Sequence, residues 1–130
     1  MKINKTRCIL VYPEESCVIE HTTKIAEVFE KRGYDVIANM GMLGKKCDEW
    51  GIYNYNIIKD SKEIKIGTVW RRNGAISNVS TYIEIYETPH GENIEEGYCG
   101  FLNRIERIKI TKDSGERAIN NKINKILEKF

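Results

Sequence analysis

The chain has 130 residues, of which 41% are hydrophobic and 31% charged, with a formal net charge of +2. That length suits one domain over residues 1–130 with a single core. So small a net charge excludes both a polycationic tail and an acidic nucleic-acid mimic, so any basic site must be a local patch.

The amino end carries an apolar run of five residues, Cys8–Tyr12, before Pro13. That is too short for a secretory core or a membrane span, and a cytoplasmic protein is expected. Cys8, Cys17, Cys47 and Cys99 show no Cys-x-x-Cys spacing and read as free thiols.

In chain order, Arg7–Tyr12 reads as a strand. Pro13, Glu14 and Glu15 suit a helix first turn, and Val18, Thr22, Ile25, Ala26 and Phe29 share one helical face. Gly33 after Lys31-Arg32 is a C-cap signal, so a helix is predicted from Pro13 or Cys17 to Arg32. Tyr34–Met40 follows as a strand, completing an N-terminal β-α-β unit. Gly41–Gly51, with three glycines and two lysines, is predicted to be a long loop. Ile52–Lys59 alternates and should pair, through an Asp60-Ser61 turn, with the strand from Glu63.

Glu63–Glu87 is the most legible stretch. Asn73-Gly74 between two alternating runs signals a type I′ hairpin. With that turn, Arg72 faces Ala75, Trp70 faces Ser77, Ile66 faces Thr81 and Ile64 faces Ile83. One face then carries Ile64, Ile66, Thr68, Trp70, Val79, Thr81, Ile83 and Ile85. The other carries Glu63, Lys65, Val69, Arg71, Ile76, Tyr82, Glu84 and Tyr86. After the polar loop Thr88–Asn93, Gly97–Ile110 fits two patterns: Phe101, Leu102, Ile105 and Ile108 have helical spacing, while Leu102–Ile110, the favoured strand, has strand spacing only if two charges face inward. Asp113 with Glu116 resembles a capping box, and Ile119, Ile123, Ile126, Leu127 and Phe130 form the apolar stripe of a last helix. The expected fold is α+β: an antiparallel sheet of about four to six strands, with the β-α-β unit and a C-terminal helix packed on one face.

Ile9–Ser16 and Lys24–Val36 resemble the opening β-α-β of flavodoxin-like nucleotide binders. The resemblance implies a phosphate loop at the helix start, where this chain instead has Pro13, Glu14 and Glu15. Glu63-Ile-Lys65 resembles the Glu-x-Lys strand of restriction-type nucleases. That resemblance implies Mg²⁺ shared with an Asp on an adjacent strand, but the residues facing Glu63 and Lys65 are Ile58 and Asn56. Cys17 and His21, at helical spacing, with His90 and Cys99, are the only residues suited to a zinc site, and loop residues nine apart are not a recognised half-site.

The cationic and aromatic residues carry the functional expectation. Lys65, Arg71, Arg72, Tyr82, Tyr86, Arg104 and Arg107 gather on the hairpin tip and outer face, with Lys122 and Lys125 on the last helix. Arg forks hold phosphate and Tyr offers stacking surface. The leading expectation is a non-enzymatic binding protein, of the accessory or inhibitory kind found on phages and mobile elements, engaging a nucleotide or nucleic acid without a cofactor. A protein-binding inhibitor or adaptor and a Mg²⁺-dependent nuclease using Glu63 and Lys65 are the alternatives. Homo-oligomers stay open.

Overall fold

A computed structural model describes residues 1–11, 18–43, 49–70, 76–96 and 100–130, with side chains described at all of these except 6–11, 42, 43, 49, 70 and 76–79. The fold is α+β. Six strands form one sheet in sequential order: β1 (Lys2–Val11), β2 (Ile37–Leu43), β3 (Glu49–Lys59), β4 (Lys62–Trp70), β5 (Ile76–Glu87) and β6 (Asn103–Thr111). β1 runs parallel to β2, and every other neighbouring pair is antiparallel. The helices are α1 (Glu20–Lys31) and α2 (Glu116–Leu127). No helix among the described residues is long and apolar enough to cross a membrane.

Alternation decides which sheet face the helices cover. Ile64, Ile66, Ile83, Ile85 and Ile110 have 0% exposure, as do Ile123 and Ile126 of α2, and Ile25, Ala26 and Phe29 of α1 are buried with them. Each fully buried isoleucine contributes about 1.5–3 kcal/mol relative to exposure. Arg32 joins the helices by donating to Oδ1 of Asn120 (2.8 Å) and of Asn124 (2.6 Å).

α1 is shorter at its start than the sequence predicts. Val18 and Ile19 precede the helix, and Ile19 is extended. In place of a local side-chain cap, the Ile19 N–H donates to Thr68 Oγ1 on β4 (3.1 Å). The predicted start at Pro13 or Cys17 lies outside the described residues. The end matches expectation: Gly33 has φ +92°, and Tyr34 N–H donates to Phe29 O and Gly33 N–H to Glu30 O. These are the two bonds of a Schellman cap, and its hydrophobic contact is the edge-on packing of Phe29 and Tyr34 at 6.1 Å. Tyr34–Val36 are therefore the helix exit, and β2 starts only at Ile37, later than predicted.

The hairpin register also differs from expectation. Ile66 pairs with Ile83, Ile64 with Ile85 and Thr68 with Thr81. The predicted pairs Ile66–Thr81 and Ile64–Ile83 are thus displaced by two positions. An even displacement keeps every side chain on its face, so the predicted faces hold at the described positions. The displacement is absorbed near the tip: β5 uses five positions from Thr81 to Ile76 where β4 uses two from Thr68 to Trp70. Trp70 consequently pairs with Ile76, not Ser77. The Asn73-Gly74 turn itself lies outside the described residues.

Three further expectations are corrected. The predicted loop Gly41–Gly51 is strand at both ends, with Gly41 opposite Gly51 and Met42 opposite Trp50. The strand expected over Leu102–Ile110 forms, as Asn103–Thr111, but its two charges do not both face inward, because of an irregularity where Ile85 pairs with Glu106 but Tyr86 with Arg104. That extra residue, Ile105, turns Arg104 to the helix-free face, so only Glu106 faces the helix layer, where it pairs with Lys129. Asp113 does not cap α2. Residues 112–114 form the turn out of β6, closed by Ser114 N–H donating to Thr111 O, and the N-cap is Gly115.

Candidate ligand-binding face

The helix-free sheet face is polar. Its middle row runs Asn56 (β3), Lys65 (β4), Glu84 (β5) and Arg107 (β6), each the register partner of the next. The row beside it runs Ile58, Glu63, Tyr86 and Arg104. On the other side of the middle row, Gly67, Tyr82 and Lys109 are aligned. Neighbours within a row are about 4.8 Å apart, the strand spacing. Lys65, Tyr82, Tyr86, Arg104 and Arg107 are thus brought together. Arg71 and Arg72 lie outside the described residues. Lys122 and Lys125 sit on α2, in the opposite layer, and Lys122 donates to the backbone carbonyl of Lys109.

Glu63, Glu84, Lys65, Arg104 and Arg107 on this face each have a defined partner. The buried Glu84 carboxylate accepts from Arg104 (3.0 Å) and from the Tyr86 hydroxyl (3.1 Å) through the same oxygen, Oε2. Burying a carboxylate is tolerable only with such partners. The Lys65 ammonium sits over the Tyr86 ring at 5.0 Å, and the Arg107 guanidinium over the Tyr82 ring at 5.5 Å. Lys65 therefore associates with Tyr86, not with Tyr82 as the predicted register implies. Tyr82 lies across its partner Gly67, where a Cβ would collide with the Tyr82 hydroxyl. Burial, then the charges of Glu84 and Tyr86, push the Tyr82 phenol up to about 12, against Arg107. Burial raises Tyr86 as well, with Glu84 adding to the shift. Both phenols therefore stay neutral hydrogen-bond donors near neutral pH.

An amide ladder continues the face toward β1. Asn4 Nδ2 donates to Asn39 Oδ1 (3.1 Å), and Asn39 Nδ2 to the Oδ1 atoms of Asn54 and Asn56 (2.9 Å each). Asn56 Nδ2 then donates to Glu63 Oε1 (2.9 Å). Glu63 is buried, at 8% exposure, with Asn56 as its partner. Sequence reasoning missed this ladder, although Asn54 and Asn56, two apart on an alternating strand, were its visible signal.

The carboxylate absent from the nuclease-like reading has a structural counterpart: Glu84 faces Lys65. Its Oε2, however, is engaged by Arg104 and Tyr86. The zinc reading fares worse. The extended backbone at Ile19 interrupts the helical spacing between positions 17 and 21. His21 bonds Thr81 in the middle of β5, whereas His90 lies beyond the C-terminal end of that strand, so the two histidines are held apart. Cys17 and Cys99 are outside the described residues. Among the described residues no group of three or more His, Cys, Asp or Glu is arranged to hold a metal.

On the helix side of the sheet, a hydroxyl cluster fixes the start of α1. Thr22 Oγ1 lies 2.7 Å from Thr81 Oγ1 and 3.2 Å from Thr68 Oγ1, and His21 Nδ1 lies 3.0 Å from Thr81 Oγ1. His21 Nε2 is buried with no partner among the described residues. Burial, with Lys112 and Lys24 nearby, lowers the His21 pKa.

No family model, curated protein or solved structure matches the chain.

Proposed function

We propose that the protein is a non-enzymatic binding protein whose helix-free face engages a phosphate-bearing polyanion, a nucleotide or nucleic acid. The observation that carries this reading is the gathering of Lys65, Arg104 and Arg107 with Tyr82 and Tyr86 in adjacent register rows. Three cations there stand against the carboxylates Glu63 and Glu84, and Lys109 extends the set along β6. Lys65 and Arg107 are held over aromatic rings, an interaction worth only about 0.5–1 kcal/mol at exposed sites. They are free to exchange that contact for a phosphate at little cost. Arg104 is bound to Glu84 and serves the face by neutralising that carboxylate.

Titration with a labelled oligonucleotide at two salt concentrations tests the reading. Binding that weakens with salt, and whose salt slope falls by roughly one unit per lost contact in Lys65→Ala and Arg107→Ala, supports it. Absence of binding at low salt overturns it.

A second reading, capture of a protein partner, draws on Phe101 and Ile105, which are 77% and 43% exposed beside Arg104. Exposed apolar residues next to an arginine suit an interface. Salt-insensitive capture of a partner, lost in Phe101→Ser and retained in Lys65→Ala, distinguishes it. Mg²⁺-dependent cleavage of nucleic acid, lost in Glu63→Gln, would instead support a nuclease.

A further inference from the structure

Tyr82 and Tyr86 are four residues apart on β5 and project from the same face. Their attachment points are separated by about 13 Å at the rise of a strand. Both rings are held in place from below. Tyr82 rests on the backbone at Gly67, and Tyr86 is anchored through its hydroxyl to Glu84. Over each ring sits the head group of one long side chain, Arg107 on Tyr82 and Lys65 on Tyr86. Arg107 is exposed and Lys65 half-buried, so both can swing away without opening the core.

A flat ring with a movable cation above it is a stacking platform that is occupied until a better partner arrives. Successive bases in a B-form strand are only about 3.4 Å apart. Bases seated on rings about 13 Å apart must leave the stack, which paired bases inside a duplex cannot do without breaking pairs. A splayed single strand meets the condition, since every base offers a π-face and stacking is sequence-tolerant.

We infer that the polyanion is a single nucleic-acid strand whose unpaired bases displace the head groups of Lys65 and Arg107 from Tyr86 and Tyr82, while the freed cations move onto its phosphates. The inference rests on the polyanion reading above. It adds that the tyrosines select for unpaired bases, whereas the cations alone would take any polyanion.

The test compares three probes with the same protein at one low salt concentration: a ten-nucleotide oligothymidylate or oligouridylate, a duplex of equal length, and inorganic polyphosphate. The expected result is that a single strand of either sugar binds more tightly than the duplex and the polyphosphate. Tyr86→Leu should weaken single-strand binding at least about fivefold, within the range for losing one stacked base. The same variant should lose less polyphosphate affinity than single-strand affinity, and its circular dichroism and urea melt should show that it is folded. Tyr86→Phe, which keeps the ring but loses its hydroxyl anchor to Glu84, should lose less single-strand affinity than Tyr86→Leu. Equal affinity for all three probes, with Tyr86→Leu neutral, overturns the stacking inference and leaves the polyanion reading standing. No binding of any probe overturns both.

Discussion

The ring of Tyr82 on β5 lies over Gly67, its register partner on β4, and covers a position that has no side chain. An aromatic ring laid over a cross-strand glycine restores the packing that the glycine omits. The sheet thereby holds Tyr82 flat, with the Arg107 guanidinium above it.

Gly67→Ala should therefore destabilise the protein by about 1–3 kcal/mol, as overpacking does, despite alanine's lower backbone entropy cost. In a Tyr82→Ala background most of that cost should vanish, because the colliding hydroxyl is gone. A double-mutant cycle in urea measures the coupling. Additive effects of the two changes would show that the ring does not rest on Gly67.

Thr68 should be sensitive to loss of its hydroxyl rather than of its shape. It accepts from the Ile19 N–H and lies in hydrogen-bond range of Thr22. Thr68→Val keeps the volume but strands buried polar groups, at about 1–3 kcal/mol. Thr68→Ser keeps the hydroxyl and should cost less. Denaturant melts that rank the two variants the other way would contradict this origin for α1.

The faces of the ribbon were legible in the sequence because period-two alternation survives any even displacement of register. The register itself was not legible, since the extra residues that set it lie near the tip among Ser77–Ser80, with no glycine to mark them. The β2–β3 hairpin was hidden for a related reason: Gly41 and Gly51, which face each other, read as loop residues when taken singly. Arg104 and Glu106 looked like charges facing inward because a single extra residue, Ile105, leaves no compositional trace. The basic and aromatic members of the candidate face could be named from residue type. Alternation also put Glu63 and Glu84 on that face, but their partners and the asparagine ladder could not be read, because these depend on which strands are neighbours.

His21 makes stability pH-dependent with a definite sign. Its folded pKa lies below the ordinary value of 6.5, chiefly through burial. The unfolded chain therefore binds more protons in that window, and stability rises with pH there. The contribution is fully present above about 6.5, and is lost as pH falls from there through the folded pKa. Urea melts between pH 7.5 and 5 should show a decline that is smaller in His21→Asn. An identical decline in the variant would assign the effect to other groups.

Ile126 has 0% exposure and lies on the face of α2 that closes the core. Ile126→Ala should cost about 2–5 kcal/mol, the range for a large-to-small change in a core. A change below about 1 kcal/mol would mean that α2 is not docked as described.

The central claim is that binding occurs on the helix-free face. Backbone amide chemical shifts of isotope-labelled protein, followed while a ten-nucleotide oligothymidylate is added at low salt, test it most directly. The account predicts shifts concentrated at Lys65, Tyr82, Glu84, Tyr86, Arg104 and Arg107, with the buried face of α1 unmoved. Shifts confined to Lys122 and Lys125 on α2, or none at all, would contradict it.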